Sequence, residues 1–143
     1  MPLSWNEIKS RAIRFSKEWE NTTDESAESQ TFLNEFFEVF GITRKRVATF
    51  ERPVHKLDGR EGYIDLLWPG KILIEHKSKG KNLEKAKNQA IAYSFGLTEE
   101  DLPHYILVCD FNRFTLYDFE DDKQHSFLLK DLVKNVKLFG FIA

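Results

Sequence analysis

The chain has one cysteine, Cys109, so no disulfide can form within it. A lone thiol in the run Tyr105-Ile-Leu-Val-Cys109 reads as a small buried apolar residue and fits a reducing compartment. No apolar run comes near the roughly 18 residues that a spanning helix needs. The opening MPLSWNEIKSR lacks the basic-then-apolar order of a signal peptide. Together these absences point to a cytoplasmic protein with no membrane partner. An excess of base is missing too: 21 Lys and Arg stand against 23 Asp and Glu, a net charge of −2. That argues against a strong free-standing DNA binder, because phosphate affinity needs clustered cations. His55, His104 and His125 show no ligand spacing and have no cysteine partners, which excludes zinc. No glycine-rich cofactor loop follows a strand and no Asn-Pro-Pro-Tyr-type motif occurs, so these residues carry no methyltransferase.

What is present fits one globular domain, 1–143. The length allows a substantial core, and 13 Phe make that core aromatic. Charge is unevenly spread. Residues 20–38 hold six acids and no base, whereas residues 71–87 hold six lysines and two acids. The lysines at 79, 81, 85 and 87 form a local positive surface, which on composition alone reads as a solvated helix face and is the surface available to double-stranded DNA.

A first helix is expected over residues 5–18, capped by Ser4 with Glu7 as capping-box partner and carrying the stripe Ile8, Ala12, Phe15, Trp19. A polar loop over 21–26 leads to a second helix over 26–40, with Phe32, Phe36, Val39 and Phe40 inward and Gly41 as its stop. Glu35 borders that stripe. Residues 47–52 read as a first strand with Pro53 near its end, and Asp58-Gly59 as a turn. Asn82 caps a helix to about residue 95, stopped by Gly96. Residues 105–109 form a strand covered on both faces, 114–119 the next strand, 120–122 an acidic turn and 127–136 a short helix. The order gives an α/β sandwich around a mixed sheet.

The centre of the chain is GYIDLLWPGKILIEHK, residues 62–77: two apolar runs joined at Trp68-Pro69-Gly70, which reads as a hairpin. On the second run Leu73, Glu75 and Lys77 share one face, and His76 points to the other as a structural residue. Buried charges must pair or bind something. Loop length decides whether Asp65 joins them. With Pro69-Gly70 alone as the loop, Asp65 opposes Ile74 and faces away from Glu75; with a three-residue loop it opposes Leu73 and faces the same way. An odd loop or a β-bulge is required.

Asp65, Glu75 and Lys77 resemble the PD-(D/E)XK nuclease signature, and Gln89 with Tyr93 resembles the Gln-x-x-x-Tyr element of some of these nucleases. The segments NEFFEVFGI, GYIDLLWPG, ILIEHKSKGKNL and KLFGFIA resemble the N-terminal nuclease region of MmeI-like type IIL restriction–modification proteins, single chains that join an endonuclease to an adenine-N6 DNA methyltransferase. The resemblance implies a restriction-endonuclease-like fold and a metal-dependent type II endonuclease. It implies Asp65, Glu75, Lys77, Gln89 and Tyr93 as catalytic residues. Mg²⁺ (or Mn²⁺) would be held by Asp65, Glu75 and the backbone carbonyl of His76, with Glu35 as a further acid on the first core helix. Lys77 would orient or help deprotonate the attacking water. It divides the chain into an N-terminal helix and loop (1–25), a catalytic core (26–128) and the start of a helical connector (129–143). The methyltransferase, and S-adenosylmethionine with it, would lie elsewhere in a longer parent. The apolar end, Leu138 to Ala143, is expected to fold back on the domain or to mediate self-association. The rival reading is a non-cutting DNA-binding or assembly module on the same fold.

Overall fold

The computed structural model describes residues 2–23 and 25–143, without the side chains of 25 and 26; Met1, and Asp24 of the stretch expected to be a loop, lie outside the described residues. α1 spans Trp5–Trp19 and α2 Glu25–Val39; β1 spans Thr49–His55, β2 Glu61–Trp68 and β3 Ile72–His76; α3 spans Leu83–Ser94; β4 spans Tyr105–Cys109, β5 Arg113–Asp118 and β6 Lys123–Leu128; a one-turn α4 covers Leu132–Asn135. The six strands lie in sequence order, β1 to β6. All neighbours are antiparallel except β3 and β4, which run parallel and are joined across one face by α3.

Local chemistry explains the helix ends. Ser4 Oγ accepts from the Glu7 amide at 3.1 Å, while the Glu7 carboxylate turns to Arg11 at 3.0 Å instead of closing the capping box. After α2, Gly41 takes φ +78°, and the Ile42 and Gly41 amides donate to the carbonyls of Phe37 and Glu38 at 3.1 and 3.0 Å. That is the Schellman pattern, which needs a left-handed residue at this point. Asn82 Oδ1 caps α3 by accepting from the Lys85 amide at 3.0 Å.

Two apolar layers sandwich the sheet. On one side α1, α2 and the C-terminal residues bury Phe15, Trp19, Phe32, Phe36, Phe40, Leu129, Leu132, Phe139 and Ile142 against Leu66, Ile74, Leu107 and Phe114. On the other, Leu83, Ala86, Ala90 and Tyr93 of α3 cover Val54, Ile64, Leu67, Leu73, Ile106 and Val108. Residues 129–143, expected to begin a connector, belong to the first layer. The apolar end folds back: Phe139 and Ile142 are buried and Phe141 stacks on Tyr105. Self-association loses those side chains as its surface.

Three boundaries depart from expectation. β1 starts at Thr49 and runs through Pro53, which an edge strand tolerates because the missing N–H need not pair. Lys123–Leu128 is a sixth strand, so Phe127 sits in a strand and not in a helix. α2 begins at Glu25, inside the segment expected to be loop.

The hairpin has a three-residue loop, but Trp68 stays in the strand opposite Ile72, leaving residues 69–71 to turn. Its Gly70 adopts φ +73°. The register Leu66↔Ile74, Leu67↔Leu73 leaves Asp65 one residue beyond the Leu66↔Ile74 pair, beside Glu75 and not opposite Leu73. The alternation also breaks there. Ile64 lies in the α3 layer although Leu66, two residues on, lies in the other. Across the pair, Phe50 and Val54 of β1 are split in the same way, and between them Glu51 holds φ +54°. Both strands reverse face at Glu51 and Asp65, a local distortion of the kind found beside active sites.

Candidate active site

The candidate site lies at the carboxyl end of β3. Glu75 is 1% exposed, on the α3 side, and accepts the Asp65 amide at 3.3 Å through Oε1. Burial, then the charge of Asp65 and the hydrogen bond between the two carboxyls, pushes the Glu75 pKa up to about 9. Asp65 is half-buried, and its Oδ2 accepts the His76 amide at 2.8 Å. Lys77 donates its own amide to the Cys109 carbonyl at 2.8 Å, toward β4. Successive peptide groups along a strand point to opposite sides, so the N–H and C=O of His76 both face β2 and Asp65. The Asp65 and Glu75 carboxyls thus lie together beside the backbone of His76.

A relay of side chains holds Lys77. Its Nζ lies 3.9 Å from Glu75 Oε2 and donates to Gln89 Oε1 at 3.1 Å. Gln89 Nε2 donates to the Tyr93 hydroxyl at 2.9 Å. The spacing of four on α3 sets Gln89 and Tyr93 on one face, over the site. Burial and the nearby Glu75 raise the pKa of Tyr93. Its ring is locked between Gly62, where a Cβ would sit 2.7 Å from the ring, and Lys56, whose Nζ lies 5.4 Å from the ring centroid. Asp65, Glu75, Lys77, Gln89 and Tyr93 are therefore one connected constellation.

His76 points away, as its place in the strand demands. Its ring is 1% exposed and packs against Phe111 at 4.5 Å and Phe32 at 5.0 Å. Neither ring nitrogen has a hydrogen-bond partner, and desolvation drops the pKa to about 4, which keeps the ring neutral.

Glu35 does not join the constellation. It lines a cleft between α1 and α2 with Arg11, Arg14, Glu18 and Glu38. Its pKa is raised by burial and by its acidic neighbours on those helices. Phe32 and Phe36 take the sheet-facing side of α2, which turns Glu35 toward α1. The cleft onto which Asp65 opens is lined from α2 by Ala27, Ser29, Gln30, Thr31 and Leu33, none of them an acid, and from β1 by Phe50 and Glu51. Among the described residues no group of three or more His, Cys, Asp or Glu could hold a metal ion. The donor set is accordingly the Asp65–Glu75 pair and the His76 carbonyl. It fits Mg²⁺, which prefers hard oxygens, needs one or two carboxylates and keeps several waters.

Lys79, Lys81 and Lys85 are exposed beside the site. Lys87 is not free for DNA: its Nζ donates to Gln124 Oε1 at 2.9 Å, pairs with Glu84 at 3.2 Å and lies over the Tyr117 ring. Sequence reasoning missed Asp110, a fully buried carboxylate at the end of β4. The signal was Asp110-Phe-Asn-Arg, an acid able to cap its own turn. Burial opposes its charge, but the amides of Asn112, Arg113 and Gly80 and the Arg113 side chain outweigh that and lower its pKa.

No helix among the described residues is long and apolar enough to cross a membrane. No curated protein matches the chain. Among solved structures, the chain is similar to one in the DrdV–DNA complex determined by cryo-electron microscopy, with a TM-score of 0.60 and 16% identity. The match covers 97% of this chain and 14% of that one, so this chain spans a small part of its structural relative. At that identity the likeness concerns the fold, an α/β sandwich around a six-stranded mixed sheet. A family model matches residues 10–143, nearly the whole sequence, and the chain belongs to the family described as the N-terminal domain of MmeI.

Proposed function

We propose that this chain is a Mg²⁺-dependent (or Mn²⁺-dependent) endonuclease domain that hydrolyses phosphodiester bonds in double-stranded DNA. The observation that carries the reading is the buried Glu75 facing Asp65, with Lys77 held beside them by Gln89 and Tyr93. A carboxyl pushed up to about 9 by burial and a neighbouring acid is a poor way to stabilise a fold and a good way to await a cation. Asp65, Glu75 and the His76 carbonyl would hold the ion, and Glu75 would release its proton as the ion binds. Bound Mg²⁺ supplies charge neutralisation on the phosphate, a more acidic water and help for the leaving oxygen. Lys77 would orient or help deprotonate the attacking water. Gln89 fixes the Lys77 ammonium through its amide oxygen, and Tyr93 fixes Gln89.

Incubating the chain with linear duplex DNA in Mg²⁺, in Ca²⁺ and in EDTA tests the reading. Cleavage in Mg²⁺ alone is expected. Intact DNA in Mg²⁺ at high protein concentration would refute it and leave the second reading, a DNA-binding or assembly module that does not cut. The observation favouring that second reading is that, among the described residues, no group of three or more His, Cys, Asp or Glu is placed to hold a metal ion.

The family and the DNA-bound structural relative support DNA as the partner. In a parent protein we place this domain as the cleavage module, cytoplasmic, joined by a helical connector to a methyltransferase domain that binds S-adenosylmethionine. The small share of the DrdV chain that it spans supports that placement.

A further inference from the structure

We propose that the cavity at the start of α3 seats the unreacted phosphates flanking the scissile one on the strand being cut, and that Asp110 and Arg113 are the positioning pair that sets its shape. This rests on the nuclease reading above. The cavity, of about 480 Å³, is lined by Lys77, Lys81, Asn82, Lys85, Ala86 and Gln89: three cations and no acid. It is continuous with the site, because Lys77 and Gln89 belong to both. A linear polyanion with one phosphate at Asp65 and Glu75 must place its next phosphates on one side or the other of that point. Toward α2 the cleft beside Asp65 is lined by the acids Glu51 and Asp65 and by no cation, and toward Tyr93 the ring packs on Gly62 beside one lysine, Lys56. Toward Lys81 and Lys85 it is open and positive. The phosphodiester backbone of a duplex is the ligand that fits a row of cations leading out of a hydrolytic centre.

Residues 78–81 form no regular structure, and Gly80 sits at φ +91°. The end of β4 and the start of β5 tie this loop down. The Gly80 amide donates to Asp110 Oδ2 at 3.3 Å, and Arg113 Nη2 donates to the Lys81 carbonyl. Asp110 and Arg113 are themselves locked together: Arg113 Nε and Nη2 reach Oδ2 at 3.1 and 2.9 Å, while Oδ1 accepts the amides of Asn112 and Arg113 at 2.8 and 2.6 Å. Arg113 spends its charge on this buried acid, so it positions Lys81 and does not itself seat a phosphate. Lys85 is fixed separately, by the helix and its Asn82 cap.

The test is binding of the 143-residue chain to a duplex oligonucleotide in Ca²⁺ over a range of NaCl concentrations. Replacing both Lys81→Ala and Lys85→Ala should lower the slope of log K against log salt by about 1.8, at about 0.9 for each lost phosphate contact. Lys87→Ala should leave the slope unchanged. Arg113→Gln should weaken binding in the native background and add nothing on top of Lys81→Ala. Arg113→Lys, which keeps the ion pair with Asp110 but cannot also reach the Lys81 carbonyl, should repeat that pattern if the Gln variant does not fold. An unchanged slope in the double lysine variant overturns the phosphate assignment. Equal losses from Arg113 replacement in both backgrounds overturn the positioning role. No salt-dependent binding by the unaltered chain overturns the nuclease reading along with this one.

Discussion

Asp65 and Glu75 lie one residue beyond the Leu66↔Ile74 pair on neighbouring strands, joined by the Asp65 amide on Glu75 Oε1 at 3.3 Å. Two acids in that relation repel when both are ionised, so each property of the site depends on what neutralises one of them.

Asp65→Ala and Lys77→Ala should each lower the cleavage rate by at least about a hundredfold, the usual scale for a positioned proton-transfer or metal-holding group. Neither residue is fully buried, so circular dichroism and melting temperature should stay close to those of the unaltered chain. A variant that keeps its fold and cuts at the original rate would remove its residue from the site.

The metal-free protein should lose stability as pH rises. Glu75 titrates near 4.5 when unfolded and is raised to about 9 when folded, so between those values the native state holds a proton that the unfolded chain has released. Stability then falls with pH. His76 acts the other way between about 4 and 6.5, because its folded pKa is depressed. Below 6.5 the two oppose each other; above it only the Glu75 slope remains, at up to about 1.4 kcal/mol per pH unit. Urea titrations from pH 6.5 to 9 read this directly, and Glu75→Gln should flatten the curve. A curve that stays as steep in that variant assigns the slope to another group.

Mg²⁺ or Mn²⁺ should raise the melting temperature, most strongly above neutral pH where less proton has to be displaced. An ion at 100 times its dissociation constant adds about 2.7 kcal/mol. Asp65→Ala should abolish the shift. If that variant is stabilised as much as the unaltered chain, the ion binds somewhere else.

Gln89→Ala should reduce kcat by roughly tenfold, the worth of one lost hydrogen bond to a charged group, with little change in KM. Tyr93→Phe removes only the acceptor of the Gln89 amide and should cost less. A change confined to KM would make Gln89 a substrate contact and not a support for Lys77.

Gly96→Ala should destabilise the fold by about 1–3 kcal/mol, since the new Cβ would sit 2.2 Å from the His55 carbonyl oxygen. Chemical denaturation measures it; a neutral result would mean that α3 and β1 can move apart without loss.

Where pattern and polarity agreed, the sequence could be read. Ser4, Gly41 and Asn82 end helices by local hydrogen bonding that needs no knowledge of the rest of the chain. The apolar run of β4 could only be a strand covered on both sides. The clustering of the candidate residues was legible because Glu75 and Lys77 are charges at the end of an aliphatic strand. What failed depends on distant partners. β6, with Lys-Gln-His-Ser exposed on an edge, has no alternation to show. Glu35 and Lys87 are the right residue types, but the packing of Phe32 and Phe36, and of Tyr117 and Gln124, turns them elsewhere. The register that brings Asp65 beside Glu75 turned on whether Trp68 joined the strand or the loop, which its packing on Phe37 decides.

The two layers over the sheet are unequal. Phenylalanines seal one face, while α3 seals the other with Leu83, Ala86, Ala90 and a single large ring, Tyr93. Small side chains bury little area, so lifting α3 forfeits far less than lifting α2. Amide hydrogens of residues 86–93 should therefore exchange with deuterium through a partial opening, while those of residues 32–39 wait for the whole molecule to unfold. Gln89 and Tyr93 ride on that looser helix, so the grip on Lys77 lasts only as long as α3 stays down.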